Sequence, residues 1–175
     1  MRELPISFSQ EELHGIFDGT RTQFRYVIDA PNESHLQYQV GDMLWIRERW
    51  MYTDGAYIHR FGNDDLDTPG MKWRSPADMV RAAARLFLKV TDVRIQRLQD
   101  ITPQEAIAEG SYLIKCSCNR RNAGITIRGK LHPQQVCYKC GIEISHLWDG
   151  HHERAEHTWD ANPWVAANTF QKIEP

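Results

Sequence analysis

The sequence predicts an α+β fold: a small mixed β-barrel that carries short helices and is interrupted by one cysteine-bearing insertion. Three observations point there. Apolar and polar residues alternate in several short runs separated by Gly, Asn, Asp and Pro, the pattern of strands in a small sheet protein. Two helix-start signatures stand apart, too few for the strand–helix alternation of a doubly wound sheet. Four cysteines fall as two close pairs within one stretch that follows neither pattern.

Length and composition limit what the chain can be. With 175 residues and 41% hydrophobic content, it accommodates one domain of about 100 to 150 residues and a modest insertion. Residues 1–110 and 146–175 are assigned to the barrel and 111–145 to the insertion. Net charge is −2 and the sequence pI is about 6.4, so no global positive field marks a nucleic-acid binder and any such surface is a local patch. No window holds 18 uncharged apolar residues, and the first seven residues are too polar for a secretory signal. The expectation is a cytoplasmic protein with no membrane partner.

In chain order, Ser9-Gln10-Glu11-Glu12 fits a capping box, Leu13, Ile16 and Phe17 follow at helical spacing, and Gly19 closes the element. Arg25 opens a candidate strand that ends before the loop at Pro31 and Asn32. Gly41-Asp42 turns into residues 43–50, where Leu44 and Ile46 alternate with Trp45 and Arg47. Residues 53–70, rich in Gly, Asn, Asp and Pro, read as one long excursion. A short helical turn is expected over 77–84 and the longest strand over 86–95. Thr102-Pro103-Gln104-Glu105 is a second helix start, with Gly110 as its stop. After the turn at 159–163, residues 164–173 read as a closing strand.

Cys116 and Cys118, then Cys137 and Cys140, are separated by 18 residues that include Gly124, Gly129 and Pro133. In a reducing compartment such pairs hold a metal more often than they form disulfides. Four thiolates at this spacing suit a tetrahedral zinc, with the alternation at Ile125-Thr126-Ile127 supplying a hairpin arm as in a zinc ribbon. Unligated buried thiols or a redox pair are the alternatives. A closed four-cysteine site would be structural: it would fold the insertion and would not activate water. Lys115, Arg120, Arg121, Arg128, Lys130 and Lys139 surround the quartet, a cluster suited to phosphate contacts, although many charge runs are only solvated faces.

The polar turn after the first helix, residues 18–25, is the candidate ligand site. Arg21 and Arg25 are fixed cations able to grip a phosphate or a guanine-like edge, Thr22 adds a hydroxyl, and Phe24 offers a ring to a base. Trp45, Trp50 and Trp73 add flat surfaces beside Arg47, Arg49, Lys72 and Arg74. The competing reading makes the tryptophans core or core-rim residues.

Several stretches together resemble the ASCH family of the PUA-like superfamily, particularly phage and prophage members. They are Gly19-Thr20-Arg21-Thr22-Gln23-Phe24-Arg25, Gly41-Asp42-Met43-Leu44-Trp45-Ile46-Arg47-Glu48, Lys72-Trp73-Arg74-Ser75-Pro76, the run from Leu88 to Gly110, and Trp159-Asp160-Ala161-Asn162-Pro163-Trp164-Val165. The resemblance implies a small barrel with a cleft beside the first helix, and ligands that are RNA, DNA or modified nucleosides. Some members remove an acetyl group from N4-acetylcytidine with a lysine, a threonine and a glutamate. Those positions here are Arg21, Phe24 and Glu109, so only the glutamate matches; arginine is no base near neutral pH and a phenyl ring has no nucleophilic oxygen. The family's second arginine falls on Tyr26 in strict register, with Arg25 beside it. Three functions follow as expectations. The first is nucleic-acid or modified-nucleoside binding aided by the zinc ribbon. The second is an amidohydrolase using Glu109, with Thr20, Thr22 or a water as nucleophile. The third is a phage or prophage protein that binds a host protein.

Overall fold

The computed structural model describes residues 1–63, 72–110, 112–113, 125–127, 130–132 and 154–174. β1 (Glu3–Ser7) leads into α1 (Gln10–Asp18), β2 (Gln23–Val27) and β3 (Met43–Arg47), then into β4 (Trp50–Thr53) and β5 (Ala56–His59). β6 (Phe87–Arg97) precedes α2 (Pro103–Ala108); the short β7 (Tyr112–Leu113), β8 (Ile125–Ile127) and β9 (Lys130–His132) follow, and β10 (Trp164–Ile173) ends the order. The architecture is mixed α+β, a mostly sheet core with two α-helices among the described residues.

Local signals place both helices where the sequence predicts them. Ser9 caps α1 reciprocally: Glu12 N–H donates to its Oγ at 3.3 Å, and its own N–H donates to Glu12 Oε2 at 2.7 Å. Gly19, at φ +81°, ends the helix in the left-handed region that glycine enters without strain. Thr102 and Glu105 repeat the device on α2 (2.8 and 3.2 Å). The helical turn expected over 77–84 is instead two single 3-10 turns, Pro76–Asp78 and Arg81–Ala83.

Five strands form the main sheet in the order β1-β3-β6-β10-β2, with β1 parallel to β3 and every other pair antiparallel. One face buries Leu44, Ile46, Leu88, Val90 and Phe170 against Leu13 and Ile16 of α1. No strand pairing among the described residues closes this sheet into the expected barrel. β1 and β2 are the two edges of the sheet, and α1, which connects them, shares one apolar cluster with Ile6 and Phe24. Truncation of a fully buried leucine such as Leu88 would remove about 2–5 kcal/mol.

The hairpin β4–β5 departs from the sequence reading, which runs one strand to Trp50 and one irregular excursion from 53. Strand β3 stops at Arg47, and the chain reverses at Asp54-Gly55, both at positive φ (+50° and +79°), as a two-residue type I′ turn requires. Within the insertion, β7, β8 and β9 form a three-stranded antiparallel sheet, so the hairpin arm expected at Ile125–Ile127 is present. Cys116, Cys118, Cys137 and Cys140 lie outside the described residues, as does most of the cationic cluster around them.

Asp42 fixes the turn into β3. It is 3% exposed, accepts the Gln39 N–H at 2.8 Å and the Arg2 Nε–H at 3.1 Å, and pairs again with Arg2 Nη2. Burial works to raise its carboxyl, but the Arg2 guanidinium and the Gln39 amide outweigh it and hold the pKa below the ordinary 3.8. A depressed folded pKa adds stability that is present above the ordinary value and lost as pH falls through the folded one. Asp42→Asn is therefore expected to lower stability by about 1–3 kcal/mol near pH 7. In urea melts the gap to the parent protein should narrow steadily in acid; a gap independent of pH would contradict the assignment.

Candidate functional site

β2 begins at Gln23, so successive side chains point to opposite faces from there on. Phe24 turns into the core, 6% exposed, with the Phe8 and Tyr38 rings edge-on at 5.7 and 5.6 Å. It has no free face for a base, which corrects the stacking role expected of it. Gln23 and Arg25 take the other face, the one that α2 covers.

There the side chains converge on Glu109, the residue that caps the end of α2. Arg25, its side chain 2% exposed, donates from Nε to Glu109 Oε1 at 2.6 Å, and Gln23 Nε2 donates to the same oxygen at 3.3 Å. Arg21 reaches the helix end too, donating from Nη1 to the Glu109 backbone oxygen at 2.5 Å. Its Nη2 meets Glu12 Oε1 at 2.8 Å, so the carboxylate that closes the α1 capping box also orients the arginine. Thr22 adds a main-chain link, its N–H donating to Ala108 O at 2.8 Å. Two carbonyls left over at the C-terminus of α2 are thus satisfied by the turn, and a cation sits where the helix dipole favours one.

In the same row of the sheet, Arg94 of β6 stands beside Ala167 of β10, which stands beside Arg25 of β2. Arg94 Nη1 pairs with Glu105 Oε1 at 2.6 Å. Glu105 and Glu109 thus each meet an arginine beneath them, and the small Ala167 between those arginines leaves room for α2. The two carboxyls differ. Burial pushes Glu109 above its ordinary range, against the pull of Arg25 and Arg21. At Glu105 burial is outweighed by the Thr102 amide and Arg94, which leaves its pKa lowered.

The cluster is under-satisfied on its cationic side. Arg25 Nη1 and Nη2 and Arg21 Nε are buried and have no hydrogen-bond partner among the described residues. A buried guanidinium normally fills all its donors, because desolvating a charged donor without a partner is costly.

The other expected site residues lie elsewhere. Trp45 pairs with Phe87, whereas Arg25 lies in the row of Arg94. That separates them by about 23 Å along β6 and about 14 Å across three strand spacings. Arg47 follows Trp45 on β3, with its Nε buried and unpartnered, and Trp73 lies under Arg60, whose Cζ is 5.2 Å from the ring. Thr20, a candidate nucleophile, donates its hydroxyl to Asp18 Oδ1 at 2.7 Å, and Thr22 is exposed. Gln23 and Glu12 escape the sequence reading. The signal for Gln23 is the two-residue period it shares with Arg25; for Glu12 it is the capping box, which names the carboxylate but not its second partner. Among the described residues, no cluster of His, Cys, Asp or Glu could hold a metal. No described helix is long and apolar enough to cross a membrane.

Gly15 sets how closely the turn packs on α1. Arg21 N–H donates to Gly15 O at 2.8 Å, and a Cβ on Gly15 would lie 2.9 Å from Arg21 Cβ. In open space Gly15→Ala would stabilise the helix by about 1 kcal/mol. Here it is expected to destabilise by about 1–3 kcal/mol through overpacking, and to shift the Thr22 and Ala108 amide resonances as the turn moves. A more stable variant with unmoved resonances would show that the turn does not depend on that close approach.

No family model matches the chain, and no curated protein matches it. Among solved structures it is similar to the crystal structure of protein EF3133 from Enterococcus faecalis V583, described as DUF984. The identity is 8% and the TM-score 0.47, over 99% of this chain and 81% of that one.

Proposed function

We propose that the cluster of Arg21, Gln23, Arg25 and Glu109 binds the edge of a nucleobase, as a modified nucleoside or within RNA or DNA, in a PUA-like module of ASCH type. The observation that carries this is Arg25, a buried guanidinium with one nitrogen on a carboxylate and the other two without a partner among the described residues. Those donors match ring acceptors, while Glu109 can accept from an exocyclic amine. Arg21 and Glu109, at 14% and 16% side-chain exposure, form the accessible rim. Two arginines and the two glutamates they contact sum to zero charge, which favours a neutral heterocycle over a free phosphate.

Titration calorimetry with a nucleoside panel that includes N4-acylated cytidines tests it. One member should bind, and Arg25→Met should weaken it about tenfold or more, the scale of one charged hydrogen bond removed. Absence of binding by every nucleoside at millimolar concentration, and by short RNA and DNA at low salt, overturns the reading. Hydrolysis is supported by one feature, the raised Glu109 carboxyl. Turnover of an N4-acylated cytidine that Glu109→Gln abolishes would make this an amidohydrolase.

The cysteine quartet carries a separate expectation of structural zinc. Protein purified under reducing conditions should hold about one zinc per chain, as four thiolate ligands require, and should lose it on Cys137→Ser.

A further inference from the structure

We infer that the β4–β5 hairpin is a stacking platform for a single-stranded polynucleotide. Tyr52 and Tyr57 are paired directly across the hairpin, their ring centroids 5.0 Å apart, and they are 55% and 40% exposed. Trp50 supports them from below. Its ring lies 5.8 Å from Tyr57, it is 3% exposed, and it shares a small core with Met79 and Ala83. Arg74 bridges to Trp50 through the backbone and lays its guanidinium 5.1 Å over the indole. The result is a continuous ladder of arginine, buried tryptophan and two exposed tyrosines.

Cations flank it. Arg49, Lys72 and Arg74 are exposed and have no carboxylate partner among the described residues. Asp54 stands at the turn beyond the tyrosines, where it accepts from the Thr53 hydroxyl. Exposed aromatic faces resting on a small buried cluster, with cations beside them that have no carboxylate partner among the described residues, match the two groups that a single strand repeats: base faces and phosphates. A duplex offers phosphates but keeps its base faces stacked, and an apolar protein surface would leave the cations unmatched.

The inference extends the reading given for Arg25 and Glu109, but the two surfaces fail separately. Fluorescence anisotropy with labelled 12-residue oligo(U) and oligo(dT), and with a blunt duplex of equal length, is the test. Both single strands should bind, and the duplex more weakly. Tyr52→Ala with Tyr57→Ala should weaken single-strand binding about tenfold or more, while Tyr52→Phe with Tyr57→Phe should restore it. Arg49→Gln with Lys72→Gln should flatten the salt dependence by about 1.4 log units per log unit of salt, at about 0.7 for each phosphate no longer neutralised. An unaffected double alanine variant, or a duplex bound as tightly as the single strands, overturns the platform. Nucleoside binding at Glu109 is read independently by calorimetry: its absence with oligonucleotide binding intact retires that site alone.

Discussion

Replacing Glu109 with alanine is expected to lower stability by about 3–5 kcal/mol, because it leaves a buried guanidinium without its carboxylate. Arg25 is 2% exposed in its side chain and already has two unfilled nitrogens. Removing the Nε partner strands the whole charge. Arg21 is affected less, since it holds the Glu109 backbone oxygen, which the substitution spares, and keeps Glu12. The companion variant carries the functional weight. Arg25→Met with Glu109→Leu removes both charges and fills similar volume, so stability should return to within about 1–2 kcal/mol of the parent protein, as buried pairs replaced by apolar residues commonly do. Nucleoside affinity should not return. Urea melts give the first quantity and calorimetry the second. A Glu109→Ala variant within about 1 kcal/mol of the parent would mean that Arg25 reaches water and does not depend on the Glu109 carboxylate.

The contrast between Phe24 and Arg25 shows what is legible in the sequence and what is not. Capping boxes are read within four residues, so Ser9 with Glu12 and Thr102 with Glu105 place both helices. Alternation locates β3, which buries every second residue, whereas β6 opens on two adjacent buried residues and β10 buries four in succession, so both are legible as long strand-forming runs and not by a strict two-residue rhythm. The start of β2 reads two residues late. A one-residue difference in strand parity exchanges core for site, and that is why Phe24 and Arg25 are expected together and are found on opposite faces. β1 escapes for another reason. Its Leu4 and Ile6 do alternate, but the run is only five residues long and holds Pro5, which speaks against a strand; proline is tolerated there because the strand lies at the sheet edge. The meeting of Arg25 with Glu109 spans 84 positions; no local pattern encodes it, and the resemblance to ASCH proteins is what nominates Glu109. Trp45 fails the other way. Its alternation with Leu44 is plain in the sequence, but only the register against Phe87 shows that it lies at the far end of β6.

Arg85→Ala is expected to be as damaging as any core truncation, about 3–5 kcal/mol, although the Arg85 side chain is partly exposed. Its partner explains this. Glu48, at the end of β3, is 2% exposed in its side chain and takes both Arg85 Nε and Nη2 at 2.9 Å. The bidentate fork is what permits a carboxylate to be buried there. The effect should be asymmetric. Glu48→Ala releases an arginine that is 35% exposed and can turn to water, so the cost should be no more than about half as large, whereas Arg85→Ala leaves a desolvated carboxylate. The same arginine also donates to Phe61 O at 2.8 Å and lies 5.0 Å over the Phe17 ring, and Phe17 stacks on Phe61 at 4.7 Å. Arg85 therefore joins the end of β3, the segment leaving the hairpin and the last turn of α1, the helix that sets Arg21. Hydrogen exchange in Arg85→Ala should quicken at the Arg60 and Arg74 amides, which bond to Arg49 and Trp50, before it quickens in β6 and β10. A double-mutant cycle over Glu48 and Arg85 separates the pair from the rest. If Glu48→Ala proves the costlier single change, the carboxylate is not the group that burial traps.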